Sequence, residues 1–199
     1  MKIGIMGGTF NPIHHGHLIL SEYIRIGADL DKIIFIPTGI PPHKDNQAVL
    51  DSQIRLEMVA LAIRENPYFI CSDMEVVRKK LSYTIDTVNE LKEIYRDDDL
   101  YMIIGTDTLL SLHTWKDYER ILSMINIIVA DRLGLDRKRV DKRIEELTRR
   151  YGASIISMDS PVIDISSTLI RERLKKGLSI KYLVPEVVED YILKNNLYR

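Results

Sequence analysis

Short apolar runs alternate along the chain with amphipathic stretches. The apolar runs predict strands at residues 2–6, 32–37, 68–72, 100–105, 125–130 and 154–157. The stretches between them place apolar residues at helical spacing and predict helices at residues 17–26, 52–65, 84–95 and 137–151, the second capped by Asp51 or Ser52. This alternation is typical of a parallel sheet covered by helices. We therefore predict an α/β fold with a Rossmann-like, doubly wound parallel sheet, helices on both faces and a small C-terminal helical portion.

Composition narrows the class of protein. The chain has 199 residues, of which 45% are hydrophobic, and this predicts a single domain over residues 1–199. The 28 basic and 29 acidic residues give a net charge of −1, which predicts neither a nucleic-acid nor a membrane partner. The chain has no apolar run of membrane-spanning length and only one cysteine, Cys71, so we expect a cytoplasmic location.

The segment Gly-Gly-Thr-Phe-Asn-Pro-Ile-His-His-Gly-His at residues 7–17 directly follows the first predicted strand. Gly7 and Gly8 lack a Cβ atom, so they can take positive φ and turn their N–H groups toward a phosphate. The chain then begins a helix, whose N-terminus favours anions. The segment predicts a site for the phosphates of a nucleotide.

His14 and His17 lie three residues apart, which places both on one face of the first helical turn. Gly16 is predicted to leave room there for a bulky ligand, and His15 points away from the shared face. A zinc site is an alternative, but the spacing lacks the His-Glu-x-x-His pattern and Cys71 is distant in sequence. A second alternative is a cluster of surface histidines that has no functional role. The glycines do not fit the Gly-x-Gly-x-x-Gly pattern of reductase-type dinucleotide sites.

Other candidate residues follow predicted strands, at the edge where open α/β sheets bind ligands. Each has a structural alternative. Lys44 can be solvated, Asp107 can cap a helix, Trp115 can be an ordinary core or surface aromatic, and Ser166 can be an N-cap. Their joint occurrence at strand ends favours a shared site, with a phosphate-binding role for the lysine and for a second helix start at residues 166–171.

Two of these motifs carry a family resemblance. Residues 7–18 resemble the His-x-Gly-His signature of the nucleotidyltransferase superfamily, and Ile-Ser-Ser-Thr-Leu-Ile-Arg at 165–171 resembles its partner motif. Pro-Pro-His-Lys at 41–44, Ser-Tyr-Thr at 82–84 and Gly-Thr-Asp at 105–107 are similar to those of the bacterial nicotinate-nucleotide adenylyltransferase family. The resemblance extends over nearly the whole chain.

The resemblance implies the step of NAD biosynthesis in which nicotinate mononucleotide and ATP give nicotinate adenine dinucleotide and pyrophosphate. The second pKa of a phosphate monoester is about 6, so the attacking phosphate is mostly dianionic at neutral pH and needs no general base. Direct in-line transfer is therefore expected. The resemblance also implies Mg²⁺, bound to ATP through water and phosphate oxygens rather than by a protein metal site.

Site roles follow from the same resemblance. His14 and His17 are the implied catalytic residues. The implied ATP-binding residues are Gly8, Thr9, Phe10, His14, His17, Gly105, Asp107, Ser166, Ser167 and Arg171. The implied residues for nicotinate mononucleotide are Lys44, Tyr83, Thr84, Trp115 and Arg132. The chain departs from the family pattern at Asn11, where aspartate is more frequent, at Thr106, where alanine is common, and at Leu133, where proline often follows arginine.

Two other functions stay open at this level. A sister adenylyltransferase for nicotinamide mononucleotide or phosphopantetheine shares the superfamily motifs. A non-catalytic nucleotide-binding module can use the same fold. Apolar residues near the C-terminus are compatible with a homodimer or with the core.

Overall fold

The structure is a computed structural model that describes residues 1–41, 49–132 and 137–199, with the backbone alone at positions 131 and 132. A six-stranded sheet lies at the centre of this described part. Its strands are β1 (Lys2–Gly8), β2 (Lys32–Pro37), β3 (Phe69–Cys71), β4 (Asp99–Gly105), β5 (Asn126–Arg132) and β6 (Ile155–Ser160). Their spatial order is β3-β2-β1-β4-β5-β6, and neighbouring strands are parallel. The order reverses between β1 and β4, which leaves a crevice at their carboxyl ends.

Both faces of the sheet are buried. Ile34 and Ile36 of β2 enter one core cluster, whereas Ile33 and Phe35 enter the other. Consecutive side chains of a strand point to opposite faces, so a strand buried on both sides is a continuous apolar run. The predicted doubly wound α/β fold is confirmed.

The helices divide between the two faces. In the described residues they are α1 (His15–Gly27), α2 (Ser52–Ile63), α3 (Met74–Val77), α4 (Thr84–Ile94), α5 (Thr106–Ser111), α6 (Tyr118–Met124), α7 (Arg137–Tyr151), α8 (Ser167–Lys175) and α9 (Glu186–Lys194), with a 3-10 helix at Leu112–Thr114. One core cluster includes side chains of α3 to α7, and the other includes side chains of α1, α2, α8 and α9. None of these helices has the length and apolar character needed to cross a membrane.

The four predicted helices all occur. Helix α2 begins at Ser52, and Asp51 is its N-cap, because the Asp51 carboxylate accepts a hydrogen bond from the Gln53 N–H (2.8 Å). Helix α7 has its predicted bounds and buries Val140 and Leu147 along a mainly charged sequence. Near the C-terminus, α9 packs on α2 and buries Val188 and Ile192, so these apolar residues belong to the core.

One local prediction is wrong. Gly7 and Gly8 do not form a turn with positive φ but extend β1, where they pair with Ile36 and Pro37 of β2. The positive φ (46°) occurs instead at Phe10, two residues further on. The strand continues because both residues pair with β2, and just after β2 the Thr38 N–H donates a hydrogen bond to the Gly8 carbonyl (2.8 Å).

Candidate active site

The first turn of α1 carries two stacked imidazoles. His14 is the N-cap residue of α1, and His17 is its third residue. Their ring centroids are 3.7 Å apart, with 27° between the planes. His17 Nδ1 accepts a hydrogen bond from the His14 N–H (3.3 Å). A neutral His17 ring therefore carries its proton on Nε2, which makes this atom a hydrogen-bond donor.

Helix α8 begins beside the same segment. Ser166 is its N-cap, and the Ser166 hydroxyl accepts a hydrogen bond from the Leu169 N–H (3.1 Å). The Ser167 hydroxyl donates to the Pro12 carbonyl (2.8 Å), which ties the start of α8 to the turn before α1. The N-cap alternative for Ser166 is thus confirmed, and the bond from Ser167 to Pro12 holds the two helix N-termini close together.

A cavity of about 260 Å³ lies between these two helix starts. Imidazoles, hydroxyls and a few apolar groups surround it, and its lining consists of His14, Gly16, His17, Leu20, Pro161, Ile163, Ile165, Ser166 and Ser167. Each helix N-terminus carries about half a positive charge from the aligned peptide dipoles. The cavity therefore favours an anion such as a chain of phosphates.

A second cavity of about 350 Å³ opens at the carboxyl ends of β1, β2 and β4. Predicted residues along its wall are Gly8, Thr9, His17, Thr84, Gly105 and Trp115. His17 and Leu20 line both cavities, so His17 lies at their junction. An aromatic ring and strand-end backbone in one space, beside an anion-favouring space, suit a nucleotide with its base and phosphates in separate compartments.

Glycines in this region provide space. A Cβ atom added to Gly7 or Gly105 would meet no other atom within 4 Å, and both residues line the larger cavity. A side chain at either position would therefore extend into that cavity. Gly16 differs, because its Cβ would lie 3.0 Å from Nδ1 of His14. Gly16 therefore makes room for the His14 ring, and it also lines the cavity between α1 and α8, where the sequence predicted room for a ligand.

Two predicted binding residues contact other site residues without lining either cavity. Phe10 is only 3% exposed, and its ring meets the His17 ring edge-on at 5.1 Å. Tyr83 is the N-cap residue of α4, and Lys116 Nζ lies 4.6 Å from its ring centroid. Both side chains support neighbouring residues in this structure, and their direct binding of substrate stays a prediction.

Asp107 and Arg171 also lie outside the lining of both cavities. Asp107 is exposed in the first turn of α5. Arg171 donates from Nη1 to the Asn11 carbonyl (2.8 Å) and from Nη2 to the Thr168 hydroxyl (3.2 Å). Through these contacts Arg171 helps to fix the segment before α1. Its contact with ATP stays a prediction.

Two further predictions cannot be followed to a side chain. Lys44 lies outside the described residues. Arg132 ends β5 and pairs with Ser160 of β6, but only its backbone is described. Their roles toward the mononucleotide stay predictions.

Comparisons with known proteins agree on the class of protein. A family model described as cytidylyltransferase-like matches residues 5–173. A protein of Thermoanaerobacter sp. (strain X514) named "Probable nicotinate-nucleotide adenylyltransferase" is 45% identical, covering 100% of this chain and 95% of its own length. A protein of the same name from Desulfitobacterium hafniense (strain Y51) is 46% identical, with shares of 100% and 96%. The chain belongs to the nicotinate-nucleotide adenylyltransferase family.

Solved structures of this family share the fold. The structure described as Plasmodium falciparum nicotinic acid mononucleotide adenylyltransferase complexed with NaAD has a TM-score of 0.79 and 21% identity, covering 99% of this chain and 97% of that one. A second structure of that protein, complexed with APC, has a TM-score of 0.77. The likeness establishes a nucleotidyltransferase fold over nearly the full chain.

A buried carboxyl group in this adenylyltransferase escaped the sequence prediction. Glu75 of α3 is 8% exposed and lines the larger cavity, and its Oε1 accepts a hydrogen bond from the Thr87 hydroxyl (2.6 Å). Burial raises the pKa of the Glu75 carboxyl, while hydrogen bonds from Thr87 and Ser82 oppose the rise. Helix α3 has only four residues, too few for a recognisable hydrophobic period.

Asn11, where the resemblance implies a departure from the family pattern, is 5% exposed. Its Oδ1 accepts hydrogen bonds from the Leu50 N–H (3.3 Å) and the Tyr198 hydroxyl (2.9 Å). A carboxylate oxygen would accept the same two bonds. The asparagine therefore keeps the acceptor that links the site segment to the C-terminus, without the charge.

Proposed function

We propose that this chain transfers the adenylyl group of ATP to nicotinate mononucleotide, giving nicotinate adenine dinucleotide and pyrophosphate in NAD biosynthesis. The single observation that carries the proposal is the position of His17, which lines both the cavity between α1 and α8 and the larger cavity at the strand ends. An imidazole at this junction lies where the adenylyl group of ATP would pass to nicotinate mononucleotide. Full-length identity of about 45% to curated relatives supports the same reaction.

On the ATP side, the phosphates occupy the cavity between the two helix starts. His14 and His17 donate hydrogen bonds to their oxygens, and the two helix dipoles favour the negative charge. The Ser166 and Ser167 hydroxyls lie at the wall of this cavity. Gly8, Thr9 and Gly105 line the larger cavity, and these small residues leave space there for the nucleoside of ATP.

On the mononucleotide side, the pyridine ring stacks on Trp115 in the larger cavity. Thr84 lines that cavity and is the first residue of α4. The first N–H groups of a helix have no acceptor within it. A carboxylate placed at this helix start gains hydrogen bonds and a favourable dipole, whereas an amide brings donors of its own. This difference favours nicotinate over nicotinamide.

In the chemical step, a phosphate oxygen of the mononucleotide attacks the α-phosphorus of ATP. A new P–O bond forms while the bond from the α-phosphorus to the bridging oxygen breaks, and pyrophosphate leaves with that oxygen. The dianionic phosphate needs no general base. Charge that develops on the leaving pyrophosphate is stabilised by the Nε2–H donor of His17.

The proposal includes Mg²⁺ that enters with ATP. Among the described residues, no three His, Cys, Asp or Glu side chains cluster as metal ligands. The imidazole and hydroxyl lining around the phosphate cavity fits a Mg²⁺ ion held by phosphate oxygens and water, which is how this ion usually binds with nucleotides. Bound there, Mg²⁺ would neutralise part of the triphosphate charge.

The test measures pyrophosphate release from Mg-ATP with nicotinate mononucleotide, nicotinamide mononucleotide and phosphopantetheine in parallel. Strong preference for the nicotinate compound, lost in His17→Ala, supports the proposal. Preference for another acceptor assigns the chain to a sister adenylyltransferase. Tight ATP binding without any pyrophosphate release would identify a non-catalytic nucleotide-binding module.

A single nucleotidyltransferase domain over residues 1–199 and a cytoplasmic location are part of the same proposal. The single domain is supported by the sheet, because one sheet provides all the strand ends that line the larger cavity. A homodimer stays a prediction that light scattering on the purified protein tests.

A further inference from the structure

A buried arginine binds four main-chain carbonyls behind the larger cavity. Arg55 of α2 is 1% exposed. Its Nε donates to the Leu50 carbonyl (2.9 Å), and its Nη1 donates to the Thr9 carbonyl (2.7 Å). Its Nη2 donates to the carbonyls of Thr38 (2.6 Å) and Gly39 (2.9 Å). One guanidinium thereby connects three separate segments of the chain.

The charge of Arg55 has no ion-pair partner in the part of the chain that the structure describes. Burial lowers the pKa of Arg55, yet an arginine stays protonated at neutral pH. A buried charge is costly unless hydrogen bonds compensate for the lost water, and here the four carbonyls provide that compensation.

The four carbonyls belong to segments that form or adjoin the proposed mononucleotide site. Thr9 follows β1 and Thr38 follows β2, and both line the larger cavity. Neither residue lines the cavity between α1 and α8. Gly39 and Leu50 lie at the two ends of the segment 40–49, so Arg55 holds both ends of that segment against Thr9.

The geometry requires a guanidinium. Its three nitrogens spread five N–H donors in one plane, which lets a single side chain reach carbonyls in several directions. A lysine has one nitrogen and cannot span the same four acceptors. The removal of Arg55 would leave buried carbonyls unsatisfied and free Thr9 and Thr38 to shift.

We propose that Arg55 is a positioning residue for nicotinate mononucleotide, which fixes Thr9 and Thr38 at the wall of the larger cavity without touching the substrate. This inference rests on the proposed function. Loss of the arginine acts on the wall of the larger cavity, where Thr9 also adjoins the path of the ATP nucleoside, and leaves the ATP phosphate cavity in place.

The test compares Arg55→Lys and Arg55→Gln with Met58→Ala. Met58 is fully buried on the same helix and lines neither cavity, so its truncation destabilises α2 without removing the carbonyl contacts. We expect both Arg55 variants to raise the KM for nicotinate mononucleotide by about tenfold or more, because small displacements at a site have effects of this size. The KM for ATP should rise less than the KM for the mononucleotide, because Thr9 is the only residue held by Arg55 that is also an implied ATP-binding residue, and Arg55→Lys should retain more activity than Arg55→Gln.

Met58→Ala should lower the melting temperature and leave both KM values unchanged. Equal increases in the two KM values, or the same KM pattern in Met58→Ala, would overturn the positioning role.

If the Arg55 variants do not fold, arginine ¹⁵N NMR of the wild-type protein gives a second test. The Arg55 Nε–H signal should shift more with nicotinate mononucleotide than with ATP, and the absence of a shift with the mononucleotide contradicts the inference. A wild-type protein that does not use nicotinate mononucleotide refutes the proposed function itself.

Discussion

The His14 backbone N–H donates to Nδ1 of His17, while the two imidazole rings stack with centroids 3.7 Å apart. The hydrogen bond that caps α1 thus also fixes the tautomer of the second histidine. His17 thus carries an Nε2–H donor at the junction of the two cavities. Catalysis by such a preorganised donor requires no rearrangement during the reaction.

We expect His17→Ala to lower kcat by about 100-fold or more, the effect typical of losing one donor to a developing oxyanion. The melting temperature should fall only modestly, because the variant loses one capping hydrogen bond, worth about 1 kcal/mol, at a partly buried residue. Steady-state kinetics and thermal unfolding measure the two effects. His15→Ala is the matched control, since the adjacent histidine uses its backbone N–H to bond the Leu183 carbonyl and should retain normal turnover after truncation. Parallel losses of turnover and stability in His17→Ala would refute the assignment.

Trp115→Ala should raise the KM for nicotinate mononucleotide and leave the KM for ATP nearly unchanged. The reason is that Trp115 lines only the larger cavity, where its ring can stack on the pyridine. Trp115→Phe keeps an aromatic face and should recover most of the affinity. Initial-rate measurements with each substrate varied in turn test this, and a selective ATP defect would place Trp115 on the adenosine side.

Gly7→Val should lower kcat/KM by about tenfold or more while leaving the unfolding free energy nearly unchanged. A Cβ atom added at Gly7 would meet no protein atom within 4 Å, so the side chain would extend into the larger cavity. Valine is chosen because β-branched residues are favourable in strands. Gly4→Ala on the same strand is the converse control. Its Cβ would lie 2.9 Å from Leu30 Cδ1, so it should cost about 1–3 kcal/mol of stability through overpacking. Kinetics and urea unfolding of both variants give the comparison, and unimpaired turnover in Gly7→Val would contradict the role of this glycine as open space.

Cys71 should react slowly with iodoacetamide at pH 8, because burial raises the pKa of its thiol to about 11. The same shift makes stability depend on pH. The unfolded thiol, with a pKa of about 9, loses its proton before the folded one does. The free energy of unfolding should therefore fall as the pH rises from about 9 to about 11, and it should fall less in Cys71→Ala. Urea unfolding of both proteins at pH 8 and pH 10.5 measures this difference. Identical pH dependence in the two proteins would show that the thiol titrates normally.

Several features of the fold and the site can be predicted from residues that are close together in the sequence. The strand at residues 32–37 has its predicted bounds, because burial on both faces makes it a continuous apolar run. The spacing of His14 and His17 places their rings together on one helical turn, and Ser166 caps the second helix as its residue type allows. These predictions succeed because backbone periodicity and capping depend on neighbouring residues.

Other features depend on contacts between residues far apart in the chain. Gly7 and Gly8 became strand rather than turn because β2 pairs with them, and β6 extends to Ser160 because β5 continues beside it. Sequence position alone also did not distinguish Gly7 and Gly105, where a side chain would enter the larger cavity, from Gly16, where it would meet the His14 ring. Pairing and space at a glycine are set by elements that lie elsewhere in the sequence.

By itself, the sequence determined the order of the six strands and of four helices between them, the imidazole pair and the two helix starts, since each follows from local periodicity and residue chemistry. Only the tertiary structure decided that the two helix N-termini face one cavity, that His17 joins this cavity to a second one, and that Glu75 and Arg55 are buried beside the site. A charged residue can be buried only where distant backbone and side-chain groups satisfy its hydrogen bonds, and the chain brings those groups together only when it folds.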